Sequence, residues 1–139
     1  MPEIKKSKKY KAICIPLLEG ENEKGLDYLK KWARVKDVEI KDIAICVYYD
    51  SPLLLPPERC RRDVCIIFDG KASEDGKVKI KKFPEQKIAS FSFNGEIRKA
   101  CAEFFKWLAK NGYKRMTPLR EVEWNRRKEL QIGIKDNIN

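Results

Sequence analysis

Short runs of alternating apolar and polar positions dominate this chain, and two longer stretches carry helical spacing instead. Ile13, Ile15 and Leu17 share one side of the segment Tyr10 to Leu18, which predicts a strand. Glu19-Gly20-Glu21-Asn22 breaks it. Leu26, Leu29 and Ala33 follow at helical spacing beside Gly25 and Trp32, so an amphipathic helix is predicted over about 23–36 with Asn22 as its N-cap. Ile43 to Tyr49 predicts a strand closed by Asp50-Ser51-Pro52. Leu53-Leu54-Leu55-Pro56-Pro57 cannot continue a central strand, because proline donates no ladder hydrogen bond. Asp63 to Phe68, Val78 to Lys81 and Ile88 to Phe93 predict three more strands, with a turn-rich loop from Asp69-Gly70 to Gly76. Ile97, Cys101, Phe104 and Leu108 form the stripe of a second helix over about 96–110, stopped by Asn111-Gly112. Leu119 to Trp124 and Leu130 to Ile134 are the last predicted strands.

The order of these elements repeats. A shift of 75 residues aligns Ile13 with Ile88, Gly20 with Gly95, Glu21 with Glu96, Trp32 with Trp107 and Val47 with Val122. The expected fold is α+β: a duplicated strand–helix–strand–strand module with pseudo-two-fold symmetry and antiparallel sheets around a central cleft. Module one covers about 8–68 and module two about 77–135 of a single domain, 1–139. Each helix should cover one face of its sheet, and the other faces should meet around the cleft, a common place for a ligand.

Period two assigns side chains to faces. Val122 and Trp124 share one side of their strand, and Glu121 and Glu123 share the other. The apolar pair is expected to face the second helix. Glu121 and Glu123, with Cys46 and Tyr48 from the equivalent strand of module one, are then expected on the non-helical face, in the cleft. A carboxylate among aromatics in a concave site attracts cations, and a buried Glu121 would hold its proton more tightly than usual. The ordinary alternative is that alternating glutamates mark a solvated sheet face. Trp32 and Trp107 flank the helix stripes. Packing is their default role, and their symmetric recurrence adds them as candidate cleft residues.

Composition narrows the chemistry. Among 139 residues, 42% are hydrophobic and 37% charged, which suits a globular chain with a charged surface. There is no histidine, so histidine bases, Ser-His-Asp and Cys-His pairs and histidine metal sites are excluded. The five cysteines have no Cys-x-x-Cys spacing; four sit in apolar runs as small core hydrophobes, which fits a reducing cytoplasm. No signal-peptide stretch or membrane-length apolar run is present, so a membrane partner is not expected. No cofactor is expected. Lys and Arg outnumber Asp and Glu by 31 to 21, a net charge of +10, which raises the question of nucleic acid. The basic residues fall in separate clusters (Lys5/Lys6/Lys8/Lys9, Arg59/Arg61/Arg62, Lys77/Lys79/Lys81/Lys82, Arg126/Arg127/Lys128) with no recognition motif beside them. A solvated surface is the preferred reading, and direct nucleic-acid binding is not expected.

Several ordered segments resemble a known family. They include Val47-Tyr48-Tyr49-Asp50-Ser51-Pro52, Arg62-Asp63-Val64-Cys65-Ile66, Phe83-Pro84-Glu85-Gln86-Lys87-Ile88-Ala89 and Phe93-Asn94-Gly95. Trp107-Leu108-Ala109-Lys110-Asn111-Gly112-Tyr113, Leu119-Arg120-Glu121-Val122 and Glu129-Leu130-Gln131-Ile132-Gly133-Ile134-Lys135 complete the set. From about residue 8 onward, their order resembles the GyrI-like small-molecule-binding domain, the effector-binding domain of AraC-type and MerR-type regulators. The resemblance implies the duplicated module and a central cleft where a buried glutamate and aromatics hold lipophilic, often cationic, compounds. Glu121 matches that glutamate, and Tyr48 matches the tyrosine before Asp-x-Pro. Where the family commonly has a second tyrosine, this chain has Glu123, which makes the site more acidic.

Three function classes follow. The first is a stand-alone binder of hydrophobic or cationic compounds, held by Glu121, Glu123, Tyr48, Trp107, Trp32 and Cys46. The second is a hydrolase of cyclopropane-containing electrophiles, with Glu121 as base and Tyr48 assisting. The third is a protein-interaction role, with gyrase or with a separate DNA-binding protein. The +10 charge is expected on the outer surface, around a site of opposite sign.

Overall fold

The computed structural model describes residues 1–136; residues 137–139, the end of the span expected for the domain, lie outside it. In chain order the elements are β1 (Glu3–Ser7), β2 (Tyr10–Leu17), α1 (Asn22–Lys36), β3 (Glu39–Tyr48), a 3₁₀ turn (Pro57–Arg59), β4 (Arg62–Asp69), β5 (Lys79–Phe83), β6 (Gln86–Phe93), α2 (Ile97–Lys110), β7 (Tyr113–Arg115), β8 (Leu119–Trp124) and β9 (Arg127–Asp136). The fold is α+β, with an antiparallel sheet and two helices. Every strand and helix expected from the apolar pattern is present, most of them within one or two residues of the expected bounds. β3 and β9 run several residues longer. β1 and β7 have no apolar alternation to announce them: Glu-Ile-Lys-Lys-Ser and Tyr-Lys-Arg become strands by pairing with β6 and β9.

The strands pair in the order β1-β6-β9-β8-β3-β4-β2-β5, with β7 added to the end of β9. The expectation of separate sheets meeting across a cleft is therefore corrected to one sheet, joined edge to edge where β3 pairs β8. That pairing satisfies the backbone groups that two free edges would leave open. The sheet also curls. β1 and β2 lie near opposite ends of the order yet are two residues apart in the chain, and so are β5 and β6. Their registers run on as one ladder, from Glu3 opposite Ser90, through Tyr10 opposite Phe83, to Cys14 opposite Lys79. This shared ribbon draws the two ends of the sheet together.

The curl gives the sheet two apolar faces. On the outer one, α1 packs Leu29 and Ala33 onto Ile13, Ile15, Val64, Ile66 and Phe68. α2 packs Ile97, Cys101, Phe104 and Leu108 onto Ala89, Leu130, Ile132 and Ile134. The inner face carries Ala12, Cys14, Ile45, Val47, Cys65, Phe83 and Val122, which no helix covers and which the curl itself buries. All five cysteines are buried and free.

Asn22 opens α1 but does not cap it. Glu21 holds the N-cap position without a side-chain bond, and the Asn22 carboxamide oxygen instead accepts from Arg62 Nε at 2.6 Å. Arg62, 3% exposed, also donates to the Cys60 carbonyl at 2.7 Å and to the Gly20 carbonyl, tying β4 to the loop before α1. Its replacement by methionine orphans three acceptors and should cost about 3 kcal/mol, read as a lower urea midpoint at unchanged slope. Phe104→Ala opens a cavity under α2 at a fully buried position and should cost about 3–5 kcal/mol in the same titration.

Candidate functional site

The helices cover the outer strands and leave a gap between them. α1 sits over β2, β3 and β4, and α2 over β6, β7 and β9. β3 and β8 form the floor of a groove of about 700 Å³ between α1 and the β8–β9 hairpin. Asn22, Leu26 and Lys30 of α1 form one wall; Asn125, Arg126 and Lys128 of the β8–β9 hairpin form another. Asn125 and Arg126 both have positive φ (47° and 62°), as a two-residue hairpin turn requires, and this tight turn sets Lys128 directly across from Glu123. Against Cys46 and Val64 the groove narrows into a recess of about 30 Å³, bordered by Glu121 and Glu123.

Register places the candidates. Cys46 lies opposite Glu121, and Leu119 opposite Tyr48, so Cys46, Tyr48, Glu121 and Glu123 share a face. That face is the helix-bearing one, not the non-helical one. Val122 and Trp124 point into the curl with Ile45 and Cys65. Alternation shows that two faces differ; here both sides of β8 needed apolar residues, and the pattern did not say which side the helices would take.

Glu121 is half-buried and its neighbours set its chemistry. Burial raises its pKa above the ordinary carboxylate value, and the charge of Glu123 adds to this. Lys128, a hydrogen bond from Tyr48 and Arg62 oppose the rise. The Tyr48 hydroxyl donates to Glu121 Oε1 at 3.3 Å. Burial, reinforced by Cys46 and Glu121, keeps that phenol protonated. Burial also pushes the Cys46 thiol up to about 12, with Glu121 adding to the effect. Cys46 is thus a neutral thiol rather than a nucleophile at neutral pH. Its Sγ lies 3.8 Å from Asn22 Oδ1, the atom that Arg62 holds. Among the described residues, Glu121 takes part in no ion pair.

Trp32 and Trp107 do not line the groove, which corrects the inference from their recurrence. Trp32 borders a separate hollow with Val38 and the 71–75 loop. Trp107 stacks on Tyr113 with centroids 5.7 Å apart. Each packs on the far flank of its helix. The groove's charge also differs from expectation. Five acidic and four basic side chains line it, so it is close to neutral rather than strongly acidic. Sequence reasoning takes Asn22 as a cap and Leu26 as part of the core stripe, and misses that both, with Lys30, line the groove, although their spacing of four puts the three on one side of α1. Among the described residues no cluster of His, Cys, Asp or Glu is arranged for a metal ion, and no helix is long and apolar enough to cross a membrane.

Comparison with known proteins fits this geometry. YosT, an SPbeta prophage-derived protein of Bacillus subtilis (strain 168) named as a candidate transcriptional regulator, is 26% identical over 85 residues. The match covers 61% of this chain and 56% of YosT, so the chain corresponds to about half the length of that relative. The crystal structure of the EcmrR C-terminal domain superposes with a TM-score of 0.77 at 11% identity, covering 98% of both chains. The structure of SAV2435 bound to tetraphenylphosphonium has a TM-score of 0.52 at 13% identity, covering 97% of this chain and 94% of its own. These structures share the fold. The family model of the GyrI-like small molecule binding domain matches residues 11–133, and the chain belongs to that family.

Proposed function

We propose that the groove between α1 and the β8–β9 hairpin binds lipophilic cations, with Glu121 as their countercharge and Glu123 at the rim. One observation carries this reading: Glu121 is a partly buried carboxylate without an ion pair at the floor of a ligand-sized groove. Leaving a carboxylate so placed is costly, and a bound cation offsets that cost. Leu26 and Ala44 offer apolar contact to the body of such a ligand. A solved structure of the same fold holds tetraphenylphosphonium, which makes that compound the natural first probe. The strand order supports a duplicated module as the origin of the groove: β2-β4-β3 on one side of the seam mirrors β6-β9-β8 on the other.

The contact between Tyr48 and Glu121 favours a second reading, a hydrolase with Glu121 as base and Tyr48 as proton donor. Turnover of a cyclopropane-containing electrophile, lost in both Glu121→Gln and Tyr48→Phe, would favour it. The binding reading expects no turnover.

Titration calorimetry with tetraphenylphosphonium tests the binding reading. Glu121→Gln should weaken affinity at least tenfold, about 1.4 kcal/mol. Wild-type affinity should rise with pH as Glu121 ionises and then level off, while the variant stays flat. Equal affinity in both proteins would remove the role given to Glu121.

The same group sets a pH dependence of stability. Its folded pKa is raised, so the native state holds this proton more tightly than the unfolded chain. The contribution of Glu121 to stability therefore falls as pH rises through the window above the ordinary carboxylate value. Glu121→Gln should remove that fall and raise Tm at pH 7, measured by thermal denaturation across the window.

A further inference from the structure

At the Tyr48 end of β3, away from the groove, lies a separate hollow of about 260 Å³. Tyr48, Tyr49 and Phe105 give it aromatic walls, and Pro52, Pro118 and Leu119 add apolar surface. Its volume falls below the range of pockets for drug-sized ligands and suits one large side chain. The surface around it is also apolar. Pro52 runs straight into Leu53-Leu54-Leu55, a turn in which the N–H groups of Leu54 and Leu55 both donate to the Ser51 carbonyl at 3.0 Å. Leu54 is 82% exposed; Leu53, Leu55 and Tyr49 are exposed too, as is Met116, which sits between the lining residues Arg115 and Pro118. Of the nine large hydrophobic residues exposed among the described residues, five therefore stand at this one place. Single exposed apolar residues are ordinary, but a group of them around a concavity marks an interaction site.

The rim is basic. Arg98 Nε donates to the Pro52 carbonyl at 2.9 Å and Arg98 Nη2 to the Leu53 carbonyl at 3.4 Å, which fastens the leucine turn to the start of α2. The Arg115 guanidinium lies 4.4 Å from the centre of the Phe105 ring. Among the described residues neither arginine pairs with a carboxylate. Asp50, the carboxylate that lines the hollow, is already held by Arg61 through bonds of 2.9 and 3.0 Å. The face thus sets two arginines without an acidic partner around an apolar centre.

Charge and shape select the occupant. A second copy of this chain in a two-fold contact would bring the same arginines face to face, and like charges opposed across an interface are costly. A bilayer is flat on this scale and leaves the hollow empty. An acidic chain with an aromatic side chain satisfies both. We propose that this face docks an acidic segment of a partner protein, with one aromatic side chain anchored in the hollow against Phe105 and Tyr49 and with carboxylates over Arg98 and Arg115. An aromatic anchor in a pocket, surrounded by charged contacts, is the common energetic centre of such interfaces. The face is independent of the cation groove, since no residue lines both hollows.

A random dodecapeptide library displayed on phage, panned against the whole chain, supplies the probes, and enriched peptides are then titrated by fluorescence polarisation. Enriched peptides should carry an aromatic residue among Asp and Glu. Alanine in place of that aromatic should weaken binding at least tenfold, and added salt should weaken it as well. Leu54→Asp and Arg115→Glu, both at exposed positions, should melt as wild type does and each bind at least tenfold more weakly. Glu121→Gln should bind the peptides as wild type does. Enrichment of no peptide, or only of peptides lacking acidic or aromatic residues, would overturn the proposal. So would unchanged affinity in both folded variants, or loss of peptide binding in Glu121→Gln. A dimer in sedimentation that Leu54→Asp dissolves would assign the face to a second copy, and co-pelleting with phosphatidylglycerol vesicles that Leu54→Asp abolishes would assign it to a bilayer; either result overturns it.

Discussion

The antiparallel pairing of β3 with β8 sets Cys46 directly across from Glu121, and the two sides of the molecule are organised around that seam. α1 stays on β2, β3 and β4, and α2 on β6, β7 and β9. Beside α1 the two central strands form the floor of the groove. The parity of β8 then sends Glu121 to the outer groove and Arg120 into the curl. A slip of one residue in this register would exchange those destinations.

Both charges lie in surroundings that disfavour them. Glu121 is desolvated; among the described residues the Tyr48 hydroxyl donates to it at 3.3 Å and Lys128 acts from further away. Arg120 has an amide oxygen, an aromatic face and the Tyr10 phenol around it where a carboxylate would be expected. An apolar pair at these positions would give a more stable sheet. The +10 of the whole chain does not describe the groove, which is near neutral and whose one deep charge is negative.

Much of the fold could be read from the residues because each helix stripe and each central strand obeys its own period. Ile97, Cys101, Phe104 and Leu108 all lie under α2 as their spacing required. Three things could not be read. β1 and β7 are strands through their partners and not through their own composition. The outward placement of Glu121 depends on the curl, which makes both faces of the sheet apolar and so leaves alternation without a direction. The positions of Trp32 and Trp107 depend on rotation about the helix axis: both stand beside the core stripe, on the flank away from the groove. Of the proposed site, Glu121, Glu123, Cys46 and Tyr48 do come together, because cross-strand register follows directly from hairpin and seam geometry.

A desolvated carboxylate kept for a cationic ligand has a distinct titration, and Glu121 is the group to follow. Carbon-13 NMR of the glutamate side-chain carboxyls, with Glu121→Gln to assign the signal, measures its titration directly. The account predicts a midpoint above the ordinary carboxylate value in the free protein and a downward shift when tetraphenylphosphonium is added. An ordinary midpoint, unmoved by the cation, would contradict it.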